Sequence, residues 1–119
     1  MVAMVVPEYM ARMDSAKPFS ALDVVEPDMR FLLALPDRQV TGRSRQDFAD
    51  YIAGRNPAER LHVIQRRAVD GDLEMVYGVV TEKGEPTGAF LAAAKISPAG
   101  RIEHYLSFFN TSFRLLELG

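Results

Sequence analysis

The sequence predicts an α+β domain, with three N-terminal helices laid against one face of an antiparallel sheet. Two observations carry that prediction. Residues 60 to 110 hold four apolar, strand-like runs: Arg60 to Val69, Leu73 to Thr81, Ala89 to Ile96 and Arg101 to Asn110. They are joined by turns at Asp70-Gly71, Lys83-Gly84-Glu85-Pro86 and Ser97-Pro98-Ala99-Gly100. Residues 7 to 54 instead carry helix-period apolar positions, interrupted by one strand-length run, Met29 to Leu35.

Taken in order, Pro7 to Ala16 reads as a first helix. Pro suits its first turn, where the missing N–H costs nothing, and Tyr9, Met10 and Met13 share a face. Pro18 opens a short second helix in which Phe19, Leu22 and Val25 recur every three residues, and Pro27 is expected to end it. Met29 to Leu35 is the first strand, bounded by Pro27 and Pro36, and Asp37 to Gly42 is a turn or short edge strand. Ser44-Arg45-Gln46-Asp47 resembles a capping box and opens a third helix. Phe48, Tyr51 and Ile52 form its stripe, and Gly54 is expected to end it as a C′ residue. In the second half, Asp-Gly between alternating runs is a strong hairpin signal, because a type I′ turn needs φ > 0 at both central positions.

Length and composition bound the function. A chain of 119 residues forms one domain, here 1–119, and 48% hydrophobic with 25% charged residues is an ordinary globular balance. A net charge of −2, with Arg66-Arg67 as the nearest basic cluster, argues against nucleic acid. The absence of Cys excludes disulfides, thiolate catalysis and zinc–thiolate sites. Two His are too few to suggest a metal centre, so neither metal nor cofactor is expected. The apolar run Met1 to Val6 is stopped by Pro7 and is too short for a signal peptide or a span. No membrane association is expected, and cytoplasm is the default location.

Particular residues then narrow the class. Tyr9-Met10-Ala11-Arg12-Met13-Asp14-Ser15, Glu26-Pro27-Asp28-Met29-Arg30-Phe31, Val40-Thr41-Gly42-Arg43 before Phe48, Gly100-Arg101-Ile102, and the close Tyr105, Phe108, Phe109, Asn110 follow one another in a telling order. In that order the chain resembles the nuclear transport factor 2-like superfamily, and within it the ketosteroid isomerase and SnoaL-like branch. The resemblance covers nearly the whole chain. It implies a single SnoaL-like domain: a curved sheet wrapped around the helices into a cone, a cystatin-like α+β barrel, whose open end holds a small apolar ligand. It also implies that relatives pair through the convex face of the sheet.

Family chemistry transfers only in part. The oxyanion-hole Tyr of ketosteroid isomerases matches Tyr9. Their general-base Asp matches Leu33, and their second oxyanion-hole acid falls at Ala92, or at Ala89 if the frame slips. Leu and Ala can neither take a proton from carbon nor donate to an enolate, so that isomerisation does not carry over. Residues 73 to 81 contain no Arg-x-Asp, and Ser107-Phe108-Phe109-Asn110 lacks the closing carboxylates of the epoxide hydrolase relatives.

Strand alternation sorts the remaining side chains. His62, Ile64 and Arg66 share a face; Phe90, Ala92, Ala94 and Ile96 share the apolar set of their strand. The resemblance puts Ala92 inside the cone. The last strand divides into two mixed sets, and the resemblance favours the one holding Glu103, Tyr105, Ser107 and Phe109 as pocket-lining. His62 and Tyr9 are therefore the candidate catalytic pair, as general base and electrophilic donor. Phe31, Leu33, Ile64, Arg66, Phe90, Ala92 and Ser107 are the candidate ligand-binding residues. Blander roles stand beside these: His62 satisfied by a backbone carbonyl or by Glu59, Tyr9 simply packed, and Arg66 in a strand-end salt bridge. Glu74 and Tyr77 lie on opposite faces of one strand, and Glu74 is expected to face solvent.

The expected function is a cone-pocket domain for an apolar, oxygen-bearing ligand of polyketide or steroid-like type, with isomerase-, cyclase- or dehydratase-type proton transfer. The alternative is a non-catalytic dimerisation or protein-interaction domain. Strands 61–67, 73–81 and 101–110 are apolar on both alternating sets, which predicts a homodimer through the convex face.

Overall fold

The structure, a computed structural model, describes residues 4–55 and 59–117. The order of elements is α1 (Val5–Met13), a 3₁₀ helix (Pro18–Val24), β1 (Val25–Ala34), β2 (Gln39–Gly42), α2 (Arg45–Ala53), β3 (Arg60–Asp70), β4 (Leu73–Glu82), β5 (Glu85–Ile96) and β6 (Ile102–Asn110). Of the opening apolar run, only Met4 to Val6 falls within the described residues. Neither α-helix exceeds nine residues, and no helix among the described residues is long and apolar enough to cross a membrane.

The fold class is the α+β arrangement expected, with one difference in topology. The six strands run β2-β1-β6-β5-β4-β3, and β3 to β6 pair antiparallel in sequence order. β1, however, joins β6 in parallel, so the curved sheet is mixed, and it does not close into a barrel. The parallel pair brings together the first and last strands of the chain. β1 enters from the 3₁₀ helix beside the last strand, and α2 returns the chain to the far edge.

Helix α1 starts two residues before Pro7, because its N-terminal amides find a remote acceptor. Glu74 on β4 accepts from Val5 N at 2.9 Å and from Val6 N at 2.8 Å. Pro7 contributes no N–H, so the orphan donors of the first turn are accounted for at Val5, Val6 and Pro7. Glu74 is thus buried, 6% exposed, and not solvent-facing. The three-residue recurrence at Phe19, Leu22 and Val25 is realised as a 3₁₀ helix, whose period is three residues per turn. Pro27 does not bound the first strand but lies inside β1. It sits in the irregular stretch between Val25 and Arg30, where no ladder bond is needed.

Helix α2 is capped as predicted: the Ser44 hydroxyl accepts from Asp47 N at 3.0 Å. The Asp47 carboxylate reaches back to Arg43 N at 2.9 Å, one residue earlier than in a standard capping box. Gly54 ends the helix in right-handed geometry at φ −89°, without using glycine's left-handed freedom. The type I′ turn expected at Asp70-Gly71 is not formed there. Between β3 and β4 only Gly71 has positive φ, the pattern of a type II′ turn centred on Gly71-Asp72. Between β4 and β5 both Lys83 (φ 52°) and Gly84 (φ 82°) are positive, so the type I′ pattern sits there.

The core lies between the helices and the concave face of the sheet. Val6, Met10, Met29, Phe48, Val76, Phe90, Ala92 and Ile102 are buried together there. Phe48 is enclosed by rings, edge-on to Phe31 at 4.8 Å and tilted against Tyr9 and Tyr51 at 5.9 and 5.7 Å. Packing fills the closed end of the cone; the other end stays hollow.

Candidate functional site

The hollow end is a cavity of about 310 Å³ whose lining includes Tyr9 and Met13 of α1, Leu33 of β1, Tyr51 of α2, His62 of β3, Phe90 of β5, and Tyr105, Ser107 and Phe109 of β6. Each side chain arrives there by a local rule. On α1, positions 6, 9, 10 and 13 form the buried stripe, and Tyr9 and Met13 are its members nearest the opening. On β6, Tyr105, Ser107 and Phe109 alternate inward from exposed His104, Leu106 and Phe108. Phe90 lies across from Gly78, which has no Cβ to hold its ring away.

Of the nine candidate residues, Tyr9, Leu33, His62, Phe90 and Ser107 surround this one cavity. Phe31 and Ala92 share the inner face but are packed into the core. Ile64 packs against that core and is not part of the cavity lining. Arg66 does not share the face of His62 and Ile64. The β3–β4 register slips between Ile64 and Arg66, so Arg66 pairs with outward-facing Tyr77, exposed and bonded to the Gln65 carbonyl. The bulge reverses the alternation on which its placement rested.

The strongest polar feature joins His62 to Asp14, the residue after α1. His62 Nδ1 lies 2.8 Å from Asp14 Oδ1, and the His62 backbone N–H donates to Asp14 Oδ2 at 2.6 Å. Asp14 has a side chain only 9% exposed, and that of His62 is 19% exposed. Neither a backbone carbonyl nor Glu59 is the partner of the imidazole. With Asp14 ionised, Nδ1 carries the proton and Nε2 is left as the basic nitrogen. Nε2 has no hydrogen-bond partner among the described residues. Phe90 meets the imidazole edge-on at 5.1 Å and fixes its plane.

Opposite stand two phenols. The Tyr9 and Tyr105 rings are 5.0 Å apart. Burial pushes the Tyr9 phenol well above its ordinary value, with Tyr105 and Tyr51 adding to the rise and Arg55 opposing it. Burial likewise raises Tyr105, offset in part by Ser107 and Tyr9. Both phenols therefore stay protonated through the neutral range, as donors and not as bases. The site thus holds a base on one wall and uncharged donors on another, in a cavity whose lining also includes the charged side chains Asp37, Arg38, Arg55, Arg60 and Glu82.

Sequence reasoning passed over Asp14, Tyr51 and Arg55. A signal for Asp14 existed: Val6, Met10 and Asp14 continue one i, i+4 row, which places an acid on the apolar stripe. Among the described residues no cluster of potential ligands could hold a metal ion.

No protein-family model and no curated protein matches the sequence. Solved structures do match. A protein of ketosteroid isomerase-like fold from Catenulispora acidiphila, in complex with trimethylamine, superposes with a TM-score of 0.76 at 13% identity, covering 94% of this chain and 89% of its own. A candidate isomerase of the SnoaL-like family from Agrobacterium tumefaciens gives 0.72 at 15% identity, over 89% and 94%. A candidate ketosteroid isomerase from Kribbella flavida gives 0.70 at 15%, over 97% and 87%. At such identities the likeness is one of fold.

Proposed function

We propose that this chain, which has the nuclear transport factor 2-like fold of those neighbours, binds a compact apolar ligand bearing a carbonyl or hydroxyl oxygen and moves a proton on it. The observation that carries the reading is His62, held by Asp14 at 2.8 Å, in the wall of a cavity that Tyr9 and Tyr105 also line. His62 Nε2 takes a proton from carbon next to a ligand carbonyl, while Asp14 holds the tautomer and balances the imidazolium. Tyr9 donates to the enolate oxygen as charge develops there. Return of the proton to another carbon is an isomerisation; loss of a neighbouring hydroxyl is a dehydration; attack on a second carbonyl closes a ring. A cavity of about 310 Å³ sits at the small end of ligand pockets, which favours a few fused rings over a large ligand.

The test uses 2-tetralone, a bicyclic ketone with exchangeable α-hydrogens, in D₂O. NMR should show binding shifts at Leu33, Phe90 and Ser107, and α-deuteration above the buffer rate. His62→Ala should lower that deuteration by about 10²-fold or more, and Asp14→Asn should lower it less. Ser107→Trp should block binding. Deuteration unchanged in His62→Ala would remove the catalytic role; binding unchanged in Ser107→Trp would place the ligand elsewhere.

A second reading concerns assembly. We propose that the convex face pairs two copies of the chain, in the cytoplasm, and a purely interacting role for the fold would use the same face. Leu91 and Phe108, each 48% exposed, stand as neighbours on β5 and β6 with Leu106 beside them. The C-terminal residues cross the other half of this face, where Tyr77 Oη accepts from Leu115 N at 2.6 Å and Gln65 donates to the Glu117 carbonyl at 2.9 Å. The dimer contact would therefore centre on β5 and β6. Sedimentation at micromolar concentration decides it: a single species at 13.3 kDa rules the dimer out.

A further inference from the structure

We infer that the ligand of this cavity carries a carboxylate, bound at the rim by Arg55; the inference rests on the cavity being a ligand site. Three arginines line the cavity, and two have a carboxylate beside them. Arg60 pairs with Glu82 at 3.4 Å, and Arg38 with its neighbour Asp37 at 3.5 Å. Arg55 makes no ion pair among the described residues. Its side-chain hydrogen bond goes to Met13 Sδ at 3.8 Å, a weak acceptor. Residues 1–3, 56–58 and 118–119 contain no Asp or Glu that could serve instead.

The guanidinium is held in place even so. Its Cζ lies 6.0 Å from the centre of the Tyr51 ring, itself part of the cavity wall. Its charge reaches Tyr9, where it favours the phenolate against burial. A half-buried guanidinium with most donors unspent among the described residues, at the edge of a cavity, is matched by a planar anion that accepts two parallel N–H bonds. A neutral carbonyl would leave the charge unanswered. The ring system then fills the apolar interior toward Phe90 and Leu33, while its carboxylate anchors at the rim.

Isothermal titration of the full chain with 2-naphthoate and with 2-naphthamide tests this, since the two probes differ mainly in charge. Wild type should bind the naphthoate about tenfold tighter, the worth of one charge-assisted pair, and added salt should shrink the difference. Arg55→Gln should lose the preference while keeping its affinity for the amide, which also reports that the cavity is intact. Arg55→Lys should keep part of it. Arg66→Gln, the same charge change on the outer face, should keep all of it. Equal affinities in wild type, or a preference that survives Arg55→Gln, would overturn the inference. Amide bound without preference fails this inference alone; neither probe bound fails the cavity reading with it.

Discussion

Replacing Glu74 should unseat helix α1. The carboxylate answers two N–H groups at the start of that helix, Val5 and Val6, at 2.8 to 2.9 Å. Hydrogen bonds to a charged group are worth about 1.5–3 kcal/mol each, and a buried amide left without a partner costs about 1–3 kcal/mol. The first turn can recover part of this by fraying toward water, so Glu74→Ala should cost about 3 kcal/mol. Glu74→Gln keeps the shape and one acceptor but loses the charge at the positive end of the helix dipole, for about 1 kcal/mol. At about 4 °C per kcal/mol for a domain of this size, the melting temperature should fall by about 12 °C and 4 °C. Urea unfolding followed by far-UV circular dichroism measures both, provided the m-value is unchanged. Because α1 carries Tyr9 and Met13 and leads into Asp14, the Ala variant should also weaken binding in the cavity. A Glu74→Ala protein within about 0.5 kcal/mol of wild type would refute the cap, since only uninvolved surface positions are so tolerant.

Other outcomes follow from the same structure. Tyr9 and Tyr105 have folded pKa values above the unfolded value of 10.0. The unfolded chain therefore loses these protons first, and stability present below pH 10 is lost as pH rises beyond it, with a slope of up to about 1.4 kcal/mol per pH unit for each phenol. Urea midpoints across that range should fall less steeply in Tyr9→Phe. Gly78→Ala should fail to fold or lose more than about 3 kcal/mol, because the new Cβ would overlap the Val63 carbonyl oxygen; a near-native melting temperature would contradict it. Lys83→Asn should stabilise by about 0.5 kcal/mol, since Lys83 is held at φ 52° and Asn accepts that region more readily. A lower melting temperature would count against the turn assignment.

What the sequence determined by itself is what local periodicity and turn chemistry specify. The four-strand meander and the Ser44 cap of α2 were legible, and Asp37 to Gly42 as a turn or short edge strand; the inward set Tyr105, Ser107, Phe109 was chosen on the family resemblance, because both sets of that strand are mixed. The meeting of Tyr9, Leu33 and His62 was legible too, although there again the family resemblance supplied the third dimension that spacing alone does not. What only tertiary structure decided involves partners far apart in the chain. Glu74 is 69 residues from Val5 and 68 from Val6, and Asp14 is 48 from His62. No window of sequence shows an acid its distant amide or imidazole. Arg66 left the cavity face because of a bulge that alternation does not announce. β1 took a parallel place beside β6 because sheet order depends on how the whole chain closes, and not on any strand's own pattern. Burial of a charge is set by the partner that waits for it, and for Glu74 and Asp14 that partner exists only once the helix has been laid on the sheet.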